Sequence, residues 1–184
     1  MVLVATIEVK GLGKLTKQLT SIPDITLEAT KRTTMIVAEN IAGMAVSNLQ
    51  SSIRRGAGEL ASRVAAEVDN EDMFNPVGRV RVNSPVGVFR EFGTGPVGEA
   101  SPKDLPEGVN PVYTQEPWFI PADQVDIDLT EVYGIPSMII KGKKFYRTNG
   151  QPARPFLYPA FKQGVEGLEE VYKDEIRKSL RKEL

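Results

Sequence analysis

The chain reads as an α+β protein: a small, mainly antiparallel sheet packed by one long central helix and a C-terminal amphipathic helix, with a long Pro-rich loop insertion. Three observations predict this. Apolar residues recur at spacings of three and four between about residues 25 and 53, and again from about 158 to the C-terminus, the period of helices that bury one face. Residues 2–9 and 77–83 alternate instead, the period of half-buried strands. Between these elements, residues 96–150 hold seven of the thirteen prolines.

Taken in order, Leu3, Ala5, Ile7 and Val9 define a first strand, which Gly11 and Gly13 end. Leu15 and Leu19, four apart, predict a short helix that stops before Pro23, with Ser21 or Asp24 capping the next element. The long helix follows, with Met35, Ala38, Ala42, Ala45, Leu49 and Ile53 on one stripe. Ile36, Val37, Ile41 and Met44 widen its apolar surface, which suggests burial on more than one side. Residues 54–58 (Arg-Arg-Gly-Ala-Gly) break it. Leu60 to Val68 fits a helix or a strand. Val77–Asn83 reads as a strand, Val86–Phe92 as a further strand or a short helical turn, and Gly93–Gly98 as a loop. The insertion carries short apolar pieces at Trp118-Phe119-Ile120 and Met138-Ile139-Ile140 and a hairpin around Lys141–Lys144. A final helix opens near Tyr158 or Pro159 on the stripe Phe161, Val165, Leu168, Tyr172, Ile176 and Leu180. Its acids come early and its bases late, matching the helix dipole. The 184 residues suit a single domain, 1–184, with 96–150 as a loop and hairpin insertion within it.

Composition excludes several function classes. A net charge of −1 gives no field that would steer the chain to nucleic acid or an anionic membrane. Arg177, Lys178, Arg181 and Lys182 form the one dense basic cluster, at a helix C-terminus where the dipole favours cations. With no cysteine and no histidine, there is no thiol nucleophile, no zinc knuckle and no imidazole base or metal ligand. The N-terminal residues lack the pattern of a signal peptide and no apolar run approaches the ~20 residues of a membrane span, so a cytosolic protein without membrane contact is expected.

Candidate sites fail on context. Gly93-Thr94-Gly95-Pro96-Val97-Gly98 matches a dinucleotide-binding glycine pattern, but Pro96 removes an N–H and prolines, not a helix, follow. Gly11–Thr16 lacks the Gly-Lys-Thr/Ser of a phosphate loop. Asp123, Asp126 and Asp128 lack the glycine turn and distal acid of a calcium loop and read as solvated charges on a strand edge. Ser84 or Ser101 with Lys103 lacks an oxyanion loop or nucleophile elbow. No catalytic residue, cofactor site or metal site is expected.

Two segments stand out: Phe89-Arg90-Glu91-Phe92-Gly93-Thr94-Gly95 and Gln151–Phe161, the latter containing Arg154-Pro155-Phe156-Leu157-Tyr158-Pro159-Ala160. Each sets aromatic anchors among glycines or prolines, which fixes backbone shape. Glu91 beside Phe92 suggests a carboxylate held near a buried aromatic, with Arg154 or Arg90 as its partner. The two segments are expected to pack together at the base of the insertion and to position it. Phe92 and Phe156 read as core or as interface contacts.

The residues Phe89, Glu91, Phe92, Gly93 and Thr94, followed by Pro155, Phe156, Leu157, Pro159 and Ala160, resemble the motifs of the neck and tail-completion proteins of long-tailed bacteriophages. Arg154 and the Gly150-Gln151-Pro152-Ala153 approach, and the Gly58-Glu59-Leu60 step, fit the same resemblance, which covers most of 1–95 and 145–184. Two features depart from it: Gly87-Val88 stands where tyrosine-alanine is usual, and the 96–150 insertion is longer than the family's connection. The resemblance implies a structural virion protein, assembled in the host cytoplasm into a homo-oligomeric ring, a hexamer, from subunits that are monomeric before assembly. Its implied partners are the head connector and the tail tube or tail terminator proteins. It leaves open whether the chain is the neck protein or a tail terminator. Tyr113, Trp118 and Phe119 in the insertion are the candidate interface, since aromatics concentrate at interface hot spots. A second reading is a cytosolic module that binds a peptide or ligand through the 96–150 loop. A third is a hydrolase with convergent carboxylates such as Glu91 and Asp126.

Overall fold

The computed structural model describes residues 12–52, 57–69, 71, 72 and 74–183. The architecture is α+β. Seven helices (α1 Leu12–Ser52, α2 Ala57–Ala61, α3 Pro85–Phe92, α4 Gly95–Ala100, α5 Leu129–Tyr133, α6 Leu157–Gly164, α7 Leu168–Glu183) accompany five strands (β1 Val64–Asp69, β2 Val77–Val82, β3 Trp118–Pro121, β4 Ser137–Ile140, β5 Lys143–Thr148) among the described residues. β1 pairs with β2, and a second sheet has the order β3-β5-β4. The expected strand over residues 2–9 lies outside the described residues, as do Ile53 and the break at 54–56.

α1 corrects the expected short helix before Pro23: the helix runs through the proline. Pro23 carries no N–H for Leu19, a local loss of about 3 kcal/mol relative to alanine. Neither expected cap starts a new helix: the Ser21 hydroxyl donates to the Gln18 carbonyl, and Asp24 lies inside α1. Beyond it, Ile25 and Ala29 are buried, and this burial holds the helix where the local rule would end it. Ala38, Ala45 and Leu49 lie on the buried stripe as expected, joined by Ile25, Ala29, Thr33 and Ile41. Met35 and Ala42 are half-buried.

The chain divides into two compact units. One comprises the described part of Met1–Asn40 with Ala66–Val80 and Gly164–Leu184. Here α7 meets the first half of α1 through polar pairs: Arg32 Nη2 donates to the buried Ser179 Oγ at 2.7 Å, and the Thr34 and Tyr172 hydroxyls bond at 2.7 Å. Arg79 bridges β2 to Asp69 of β1, and this partner holds the Arg79 guanidinium above its ordinary pKa.

The other unit comprises Ile41–Ala65 and Arg81–Gln163. Its ambiguous segments resolve. Leu60–Val68 is both forms in turn, the end of α2 followed by β1, and Val86–Phe92 belongs to a helix, α3. Pro85 sits in the first turn of α3, and the Ser84 hydroxyl caps it by accepting from Val86 N. The insertion folds as a small sheet: β3 and β4 both pair antiparallel with β5. The β4–β5 hairpin turns at Lys141 (φ 52°) and Gly142 (φ 78°), where the expected lysine-rich turn lies. Two successive positive φ angles give the twist that a two-residue hairpin favours. The C-terminal helix is corrected from one to two. α6 ends at Gly164, Gly167 takes φ 70°, and α7 begins at Leu168. No described helix is long and apolar enough to cross a membrane.

Asp128 is the N-cap of α5, accepting from Thr130 N (2.8 Å) and Glu131 N (3.2 Å), and it also pairs with Lys144 of β5 at 2.6 Å. Lys144, then these backbone donors, hold its carboxyl below the ordinary carboxylate range, while Asp128 holds Lys144 above its own. A depressed carboxylate stabilises the fold above its unfolded pKa and loses that contribution as pH falls through the folded value. The raised ammonium contributes below its unfolded pKa and fails only as pH rises past its folded one. The α5–hairpin contact is therefore expected to hold from about pH 4 to about pH 10 and to loosen in acid. Protection of the Thr130 and Glu131 amides, relative to their intrinsic exchange at each pH, should fall below about pH 4 in the wild type, and Asp128→Asn should abolish that acid step. Equal acid sensitivity in both proteins would refute it.

Candidate functional site

The two singled-out segments meet within the second unit, and what joins them is mostly backbone. α3 ends at Gly93, whose φ of 78° and ψ of −179° are open to glycine alone. Thr94 N donates to Gln151 O (3.0 Å), Gln151 N donates back to Thr94 Oγ1 (3.1 Å), and Gln151 Nε2 reaches Phe89 O (3.0 Å). Arg154 N donates to Arg90 O at 2.8 Å. The glycines permit this approach. A Cβ on Gly93 would lie 2.6 Å from Gly98 Cα and 2.7 Å from Ala153 N; on Gly95 it would strike Asn149 O, and on Gly150 Thr94 O.

Glu91 is the polar centre. It is buried, at 8 % exposure, and both carboxylate oxygens are engaged. Oε2 accepts from Phe156 N (2.7 Å) and Leu157 N (3.0 Å), and Oε1 from Tyr158 N (2.9 Å). These donors are orphan N–H groups at the start of α6, and the next residue, Pro159, has no N–H to satisfy. A carboxylate at a helix N-terminus also meets the positive end of the dipole. The expected arginine partner is thus corrected: the backbone of α6 takes its place. Arg154 Nη1 instead donates to Ser52 O at 2.5 Å, at the C-terminus of α1, where carbonyls lack intrahelical partners.

Phe156 is core, 1 % exposed, and its carbonyl accepts from Asn48 Nδ2 of α1. Phe92 is half-buried, with its carbonyl receiving the Tyr113 hydroxyl at 3.0 Å. Phe89 is 48 % exposed on the outer side of α3. Pro155 is half-buried and Pro159 exposed. The three candidate interface aromatics separate. Tyr113 and Trp118 turn inward, Tyr113 to Phe92 and the Lys103 ammonium, Trp118 to within 3.1 Å of the Cβ position of Gly95. Phe119 alone faces out, at 45 % exposure. It shares a sheet face with Met138 and Phe145, set by the register Phe119↔Arg147 and Met138↔Phe145.

The remaining polar candidates hold structure. Ser101 Oγ donates to Gly98 O and accepts from Ala153 N. Lys103 Nζ caps α4 by donating to the carbonyls of Gly98, Glu99 and Ser101. The glycine pattern at 93–98 is corrected from loop to helix, since α4 opens inside it. Two of its N–H groups are nevertheless taken, Val97 N by Asn149 O and Gly98 N by Thr94 O within the helix's own ladder. Sequence reasoning missed Asn48, Asn149 and Gln151. Only Gln151, inside a quoted segment, left any signal there; an isolated asparagine leaves none.

The arrangement is a clamp closed on itself: a helix end, a glycine turn and the start of another helix, held by a buried carboxylate whose two oxygens both accept from the start of α6. Comparison with protein-family models, curated proteins and solved structures found no match.

Proposed function

We propose that this chain is a non-enzymatic structural subunit of a long-tailed phage or prophage, forming a homo-oligomeric ring at the head–tail junction as a neck or tail-completion protein. One observation carries the reading. The two motifs that resemble that family form a single backbone-locked clamp at the base of the insertion, where Thr94 and Gln151 bond in both directions. A clamp of this kind fixes the direction of an arm; it does no chemistry. The arm it fixes bears a sheet face on which Phe119, Met138 and Ile140 are 38–45 % exposed beside the half-buried Phe145, with the exposed Lys143 and Arg147 among them. An antiparallel sheet with one free face normally turns polar residues outward. Apolar residues there suit a surface that a neighbouring protein covers.

The ligand-binding alternative would place its site on the 96–150 loop, since Glu91 and the backbone groups that join the two motifs are engaged with each other. The reading is tested by negative-stain microscopy over a concentration series, alone and with purified tail tubes or connector-bearing heads. Rings, or decoration of one end of the tube, are expected. A persistent monomer that binds neither structure would remove the reading and favour ligand screening on the arm.

A further inference from the structure

The correction at Glu91 leaves two cations over. Arg90 and Arg154 flank the two motifs and are joined through the Arg154 N to Arg90 O bond. With Glu91 committed to α6, neither guanidinium meets a carboxylate among the described residues. Arg154 caps the Ser52 carbonyl, and Arg90, half-buried, makes no side-chain hydrogen bond there. Burial, and then the Arg154 charge, pull the Arg90 pKa below its usual value, while Tyr133 opposes this. Arg90 lies in the last turn of α3, where the helix dipole favours a cation, but as a half-buried charge beside a like charge it still lacks a carboxylate partner. The same chain carries the complement. On the insertion, Glu107, Glu116, Asp123 and Asp126 are exposed and make no hydrogen bond or ion pair among the described residues.

We propose that Arg90 and Arg154 form an acceptor for carboxylates carried on the insertion of a second copy of this chain, Asp123 and Asp126 foremost. A head-to-tail contact brings two different patches together, so unpaired acids on one copy and arginines without a carboxylate on the next are what such an interface requires. A planar guanidinium is suited to bidentate carboxylate recognition. The inference rests on the ring reading and names the contact within it.

The test compares wild type, Arg90→Glu, and Arg90→Glu combined with Asp123→Lys and Asp126→Lys, by sedimentation velocity and microscopy, alone and on tail tubes. Arg90→Glu should raise the concentration for half-assembly at least about tenfold, as should about 0.5 M salt for the wild type. The double charge swap should restore assembly to within about threefold, which a merely structural role for Arg90 would not do. Thermal melts check folding, and Arg90→Gln replaces Arg90→Glu if the latter unfolds. A folded Arg90 variant that assembles like wild type overturns the contact and leaves the ring standing. A wild type that assembles nowhere removes both. Arg90-dependent binding of citrate with assembly unchanged would make this a small-anion site and overturn the proposal.

Discussion

Glu91→Ala is expected to cost about 3 kcal/mol of folding stability, a large share of a margin of about 5–15 kcal/mol. The substitution removes no large apolar surface. It strands three N–H groups at the start of α6, those of Phe156, Leu157 and Tyr158, of which Phe156 N is buried. Bonds to a charged acceptor are worth about 1.5–3 kcal/mol each, and an abandoned buried donor costs about 1–3. Water can reach the more open end of the helix, so the sum falls well short of three full penalties. Glu91→Gln separates charge from geometry. Its carboxamide oxygen can still accept from one side while its NH2 faces a donor on the other, so about half the loss should remain. Urea unfolding followed by tryptophan fluorescence measures this, and an unchanged midpoint for Glu91→Ala would show that the clamp does not depend on the carboxylate. Trp118 is the only tryptophan and lies against Gly95, so it reports on the clamp directly.

The second large effect is expected at Gly150. Its φ of 105° is strained for any side chain, and a new Cβ would run into the Thr94 carbonyl, which is backbone and cannot rotate away. Strain of this sort costs about 1–3 kcal/mol before the clash is added. Gly150→Ala should therefore lose about 3 kcal/mol or more, or open the clamp. Gly134→Ala is the control. Gly134 also has positive φ, at 68°, but nothing lies within 4 Å of its Cβ position, so about 1 kcal/mol is expected. The difference between the two, read by the same unfolding curves and by the Trp118 emission wavelength, isolates the close approach of the segments from glycine's backbone freedom. Equal losses at both positions would mean that no such approach exists.

Much of this architecture was legible in the chain. The stripe through Ala38, Ala45 and Leu49, the strand at Val77–Val82, the hairpin at Lys141–Lys144 and the helical C-terminal region follow from local periodicity and turn chemistry, which act over a few residues. The errors came where a distant contact outweighed a local rule. Pro23 should end a helix, yet the chain on both sides stays helical, with buried Ile25 and Ala29 beyond it. Gly93–Gly98 looks like a loop, yet α4 opens inside it, and the distant Asn149 carbonyl accepts from its Val97 N.

The clamp shows the same division. By itself the sequence determined that residues 89–95 and 150–161 hold glycines, prolines and aromatics that fix backbone shape, and that Glu91 is a carboxylate set beside an aromatic. Which group Glu91 meets was decided only in three dimensions. An arginine is the obvious partner by charge, but a helix N-terminus offers several N–H donors and half a positive charge without any residue type to announce it. That partner is backbone, 65 or more residues away in the chain, and backbone donors look alike at every position. Tertiary structure likewise turned Tyr113 and Trp118 inward and Phe119 outward: adjacent strand residues point to opposite faces, and only the packed sheet decides which face is covered.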